Sequence, residues 1–241
     1  MPANECLTVR DMAASSLAAV KVFERHGIDY CCGGKRPLAE VCREKGLELE
    51  TVQGELDAAL AGSRQLERDW NTAPVRELIE HIVAAHHEYL RRELGPIGER
   101  LEKVYRVYNE RYGPTLTGLP GAYASLRAEL EMHIRKEEMI LFPAIAANEA
   151  ALDAGRPLPP TPFGTVSNPI HMMEMEHQNA GEGLATIREI TNDFAVPDYA
   201  CVTYRALISG LEELERDLHL HIHLENNILF PRAEQLEALH R

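Results

Sequence analysis

Two eleven-residue segments of this chain are nearly the same: His133 to Pro143 reads HIRKEEMILFP, and His221 to Pro231 reads HIHLENNILFP. Seven positions are identical, among them the histidine, the glutamate four residues on, and the closing Ile-Leu-Phe-Pro. A repeat of this kind implies two related structural units. On a helix, His-x-x-x-Glu sets its two side chains one turn apart, about 6 Å along the same face. One metal ion or a bridged pair fits that gap. Each repeat follows a segment carrying a further histidine, His87 ahead of His133 and His177 ahead of His221. The unit is a helix with His, then a helix with His-x-x-x-Glu, used twice.

Apolar spacing predicts an all-α chain, with long helices over about 73–110, 119–147, 168–193 and 197–239 and a kink at Gly95-Pro96. Between the second and third lies GRPLPPTPFGTVSNP, whose prolines and glycines forbid regular structure. The helical stripes are Ile79, Val83, His87, Leu90, Leu94; Leu126, Leu130, His133, Glu137, Leu141; Ile170, Met173, His177, Ala180, Leu184, Ile187; and Leu207, Leu211, Leu214, Leu218, His221, Glu225. Four histidines and two glutamates therefore interrupt core faces. A polar group left unsatisfied in a core costs roughly 1–3 kcal/mol, and an ionised carboxylate costs more, so six together call for a cation. Imidazole and carboxylate suit iron, manganese or zinc alike. The equal division of the donors favours two metals. His219 and His223 share a helical face with Glu212, Glu215 and Arg216 and are expected in solvent. His86 falls outside the cleanest stripe, His81 is ambiguous, and His26, His171 and His240 are expected at the surface.

Residues 1–70 read as a small helical domain and 72–241 as a helical bundle. Thr8 and Asp11 make a cap before an amphipathic stretch through Leu17, Val20 and Phe23 that stops at His26-Gly27. Shorter helices follow near 38–45 and 50–60. The segment between them, DYCCGGKRP, is a loop bearing adjacent thiols, Cys31 and Cys32. Consecutive Cα atoms sit about 3.8 Å apart, under the roughly 4.4–6.8 Å of unstrained disulfides. The pair is therefore a poor structural clasp. Gly33 and Gly34 permit close backbone approach and positive φ, and Lys35 and Arg36 are cations of the kind that favour thiolate. An exposed, mobile loop able to exchange electrons or hand on iron is the expectation. Cys42 and Cys201 read as small buried apolar groups, and Cys6 and Cys42 match no cluster spacing.

A formal charge of -13 opposes binding to nucleic acid or to an anionic membrane surface. No basic region leads into an apolar core near the start, and no apolar run approaches the 18 or so residues of a membrane span. A cytoplasmic protein with reduced thiols is expected.

DYCCGG, then His87, His133-x-x-x-Glu137, MEMEH ending at His177, and HIHLENNILFPRA with His221 and Glu225 together resemble the iron-sulfur cluster repair di-iron proteins, also called the repair of iron centres family. The resemblance implies a hemerythrin-like four-helix bundle after the small domain. It implies a cofactor of two non-haem iron ions with a bridging oxo or hydroxo group. His87 and His133 would serve one iron and His177 and His221 the other, with Glu137 and Glu225 as bridges. Oxygen-carrying hemerythrins use five histidines where four match here, leaving space for nitric oxide, oxygen or peroxide, or for exchange of iron. The implied function is repair of iron-sulfur clusters damaged by oxidative or nitrosative stress, with clients as partners and iron as the donated species. Reduction of nitric oxide and ligand sensing or carriage are the alternatives, and a homodimer is an allowed assembly.

Overall fold

The computed structural model describes residues 7–63, 68–112 and 116–239; Cys6 and His240 lie outside them. Among the described residues every regular element is helical. They run α1 Val9–Ser15, α2 Leu17–Arg25, α3 Leu38–Lys45, α4 Leu49–Ser63, α5 Val75–Ile82, α6 Glu88–Tyr112, α7 Leu119–Lys136, α8 Phe142–Asp153, α9 Ser167–Ile190, α10 Val202–His223 and α11 Phe230–Ala238. Three wider π-helical turns interrupt this series: π1 Val83–His87, π2 Glu137–Leu141 and π3 Leu224–Leu229. The chain divides into two compact units, Met1–Leu78 with His219–Arg241, and Ile79–Leu218. The first copy of the repeat thus belongs to the second unit, and the second copy to the first.

In the first unit the expected cap is present. Thr8 Oγ1 accepts from the Asp11 N–H and Asp11 Oδ2 accepts from the Thr8 N–H, each at 3.1 Å, satisfying two donors that a helix start leaves open. The stretch read as one helix is two, because Ser16 is extended and caps α2 with its own side chain. Val9, Val20, Phe23, Tyr30, Leu38 and Leu56 form a core that also takes in Ile222 from the end of α10. Every residue from His221 to Phe230 is buried. This overturns the expectation of a solvated His223: it is 1% exposed, and burial, with Arg10 nearby, pushes its pKa down to about 4, so the ring is neutral.

The second unit is a leucine-rich helical core. Leu94, Ile97 and Leu101 of α6 meet Leu126 and Leu130 of α7, Leu184 and Ile187 of α9, and Leu207, Leu211, Leu214 and Leu218 of α10. At roughly 1.5–3 kcal/mol for each fully buried leucine, the α10 stripe alone offsets several polar interruptions. Three of the four predicted stripes are buried as read. The exception is the first, where Ile79 and Val83 are only half-buried and the core residues are Val75, Leu78 and Ile82. Its cause is π1. There the Glu88 N–H bonds to the Val83 carbonyl five residues back, which inserts one residue and delivers His87 to the core one position later than a 3.6-residue period allows.

The same widening follows from the repeat's own proline in the other two turns. Pro143 and Pro231 stand in the first turn of α8 and α11. Proline has no N–H, and its ring clashes with the carbonyl four residues earlier, here that of Met139 or Asn227. The preceding turn opens instead: the Phe142 N–H reaches Glu137 and the Phe230 N–H reaches Glu225, again five residues back. The closing Phe-Pro of the motif therefore shapes the turn that carries each glutamate.

Candidate metal centre

In the second unit, four predicted residues converge. His87 Nε2 lies 3.4 Å and His133 Nε2 3.3 Å from Glu137 Oε2, and His177 Nε2 is 3.0 Å from His133 Nε2. His133, Glu137 and His177 each offer a ligand atom within 4.8 Å of the others. All four are buried, Glu137 completely at 0% exposure. In the first unit His221 Nε2 stands 3.0 Å from Glu225 Oε1, one turn apart as the motif predicts, and Glu225 is equally buried. The histidine pairing implied by resemblance needs correction within the second unit. His133 faces His177, because α7 and α9 pack side by side, while His87 meets Glu137.

Two carboxylates that sequence reasoning did not single out fix the rings. Glu138 Oε1 is 2.7 Å from His87 Nδ1, and Glu176 Oε2 is 2.9 Å from His133 Nδ1. Both stay ionised. Hydrogen bonds first from His133 and then from Lys136 hold Glu176 down at about pKa 2. Burial pushes Glu138 up, but bonds from Arg91 and His87 outweigh it and leave it low. Arg91 grips Glu138 through one guanidinium nitrogen at 2.6 and 2.7 Å. An ionised carboxylate only accepts, so Nδ1 of each ring must carry the proton and Nε2 its lone pair. The lone pair of His133 then points at His177 and at an oxygen of Glu137.

Those groups repel one another unless a proton on His177 Nε2 or a cation stands between them. No lysine or arginine is buried among the described residues, and a carboxylate at such depth is costly without a cation. Imidazole nitrogens whose far N–H is held by a carboxylate are the usual form of a metal-binding histidine, so the donor set fits a transition metal. The signals for the missed carboxylates were present: Glu138 follows Glu137, and Glu176 directly precedes His177 in MEMEH. His86 was also passed over. It is buried beside His87, with Nδ1 2.9 Å from Asp217.

The thiol loop departs from expectation. Cys31 is 7% exposed and Cys32 half-buried, and neither is in a disulfide, their sulfurs standing 3.7 Å apart. The loop winds around a carboxylate. Asp29 accepts the N–H groups of Cys31, Cys32 and Gly33 at 2.8–3.0 Å and lies 3.3 Å from the Cys31 sulfur. The bond with Cys32, then burial, then Asp29 push the Cys31 thiol well above its ordinary pKa, so thiolate is disfavoured there. Arg36 is engaged by Glu40 and Glu44. Neither Gly33 nor Gly34 has positive φ; Gly34 is required because a Cβ would stand 2.6 Å from the Tyr30 carbonyl. Cys42 is buried as expected, whereas Cys201 is exposed.

Residues 78–233 match the model of the hemerythrin HHE cation binding domain, and residues 6–60 match the ScdA_N domain, a domain of unknown function. Over 224 residues, 92% of this chain and 94% of each relative, it is 38% identical to proteins named iron-sulfur cluster repair protein YtfE from Citrobacter koseri, Escherichia coli K12 and Shigella boydii. The chain belongs to the iron-sulfur cluster repair protein family. In this family member the hemerythrin match contains both copies of the repeat and all six predicted donors. No helix among the described residues is long and apolar enough to cross a membrane.

Proposed function

We propose that this chain is a two-iron protein that repairs damaged iron-sulfur clusters, with the bundle as the source of the iron. Its donors are His87, His133, Glu137, His177, His221 and Glu225. His133, Glu137 and His177 hold one metal within the second unit, and His221 and Glu225 are the matching donors of the other copy. The observation that carries the reading is the facing of His133 and His177 at 3.0 Å with the far nitrogen of His133 held by a carboxylate. Symmetry of the repeat supports extending it to His221 and Glu225.

Bound iron would supply a Lewis acid of variable charge, open to small ligands such as nitric oxide or oxygen. The protein's own part is to exclude water from two carboxylates, to hold His87 and His133 in their metal-binding tautomer, and to keep the donors few in charge. Two carboxylates and four neutral rings hold a ferrous ion less firmly than an oxygen-rich or thiolate cage holds ferric iron, which suits donation to a client. Anaerobically purified protein should carry two iron atoms per chain by metal analysis and Mössbauer spectroscopy. Mixed with a cluster protein damaged by peroxide, the loaded form should restore activity beyond an equal amount of free ferrous iron. A mononuclear or zinc site, or recovery no better than free iron, would remove the proposal.

A further inference from the structure

We infer that Asn226 and Asn227 are positioning residues that seat the Cys31-Cys32 loop on the turn carrying Glu225, so that the thiols respond to what Glu225 holds. The inference rests on the reading of Glu225 as a metal donor. Asn227 Nδ2 donates to the Tyr30 carbonyl at 2.8 Å and Asn226 Nδ2 to the Cys31 carbonyl at 3.4 Å. Arg10 closes the arrangement from the other side: its guanidinium donates to the Asn226 carbonyl at 2.6 Å, and its backbone N–H to the Gly34 carbonyl at 2.7 Å. The loop is thus held at both ends by groups that also hold the turn. His223, bonded to Asn227 at 2.7 Å, packs edge-on against Tyr30 with ring centroids 5.5 Å apart.

The other copy of the repeat shows that these bonds are a departure from the shared motif. The positions matching Asn226 and Asn227 are Glu138, bonded to His87, and Met139, 73% exposed. Neither faces a loop in that way. Both asparagines lie inside π3, immediately after Glu225. A shift of the glutamate as it gains or loses a cation displaces the same backbone turn, and buried amide bonds weaken steeply with misalignment. By linkage, whatever the metal does to the loop the loop does to the metal.

The test uses the full chain and the labelling of Cys31 by a maleimide, read by peptide mass, with Cys42 and Cys201 as internal references. In metal-free protein N226A/N227A should label Cys31 about tenfold faster than wild type, as expected for two lost buried bonds, with the references unchanged. Loading wild type anaerobically with ferrous iron should change Cys31 labelling by about fivefold or more, the range of ordinary coupling. In the double variant that iron-linked change should vanish while iron content stays at two. Equal labelling of the metal-free proteins, no iron-linked change in wild type, or a full change in the variant would each overturn the inference. Should N226A/N227A fold poorly by circular dichroism, N226D keeps the size of the side chain and removes the donor. If wild type takes up no iron, the donor reading of Glu225 fails with the coupling, and the metal-free comparison still decides whether the asparagines seat the loop.

Discussion

The two copies of the repeat keep seven residues and change four, and the difference separates what a donor needs from what surrounds it. What is kept is the histidine, the glutamate and the Ile-Leu-Phe-Pro that opens the turn. What changes is the partner of the turn. In the first copy the residue after the glutamate is Glu138, which fixes the tautomer of His87; in the second it is Asn226, which bonds the thiol loop. One copy spends that position on the electronics of a ligand, the other on attachment to the small domain. The same turn geometry thus serves two tasks because the side chain next to the donor is free to vary.

The comparison breaks most readily at the glutamates. Replacing Glu137 or Glu225 with Ala should remove at least half of the bound iron, measured by metal analysis. It should also make the metal-free protein more stable, because a buried carboxylate without its cation is a burden of roughly 1–3 kcal/mol. Calorimetry of chelated samples should show a melting temperature higher by about 2–10 °C. A metal-free variant less stable than metal-free wild type would mean that the carboxylates are held by protein groups alone, and the two copies would no longer be equivalent donors.

The prolines test whether the shared turn is what places the donor. With Ala at position 143 the missing N–H returns, so π2 can close to an ordinary α turn, which carries Glu137 about 100° around the axis. P143A and P231A should each weaken iron binding about tenfold or more in a chelator competition, while helicity by circular dichroism holds. An unchanged affinity would assign the π turns to packing. Smaller and asymmetric effects are expected at the varied positions: E138Q and E176Q should lower affinity about 10- to 100-fold, as loss of a carboxylate behind a metal-binding histidine does, whereas N226A should stay within about threefold. Equal losses at Glu138 and Asn226 would erase the division of labour.

Much of the candidate site was legible because five of its six proposed donors sit on three stripes of ordinary helical period, and Leu126 to Leu141, Ile170 to Ile187 and Leu207 to Glu225 are buried as spacing predicts. The first stripe was misread because a π turn leaves no mark in apolar periodicity: His87 follows Ile82 by five residues, a step no α-helix uses. His223 was misread for another reason. A helical wheel sees one helix and the solvent around it, but π3 lies among residues contributed from the start of the chain, and Arg10, Tyr30 and Cys31 supply its surroundings. The carboxylates behind the histidines were missed because a polar residue beside a ligand reads as helix surface until its partner is seen. Lys35 and Arg36 suggested a cationic setting for the thiols by adjacency alone, while the turn of the chain gave them Asp29.

The smallest effect contrasts the thiol under the second copy of the repeat with a thiol that neither copy touches. Cys201 stands exposed just ahead of α10, and a hydrogen bond from the Tyr108 hydroxyl, followed by the N–H groups of Tyr204 and Thr203, lowers its pKa to about 7. Thiolate is the nucleophile, so its alkylation rate should rise about tenfold per pH unit below 7 and level off above it. For Cys31 the shift runs the other way, and its rate should still be climbing beyond pH 9. Because Asp29 contributes to that rise, D29N should move the Cys31 profile to lower pH while leaving the Cys201 profile in place. Iodoacetamide rates resolved by peptide mass give both curves from one sample. Superimposable curves would show that the Asp29 turn and the asparagine bonds leave the chemistry of the thiol untouched, and the second copy's partner would then be a matter of attachment only.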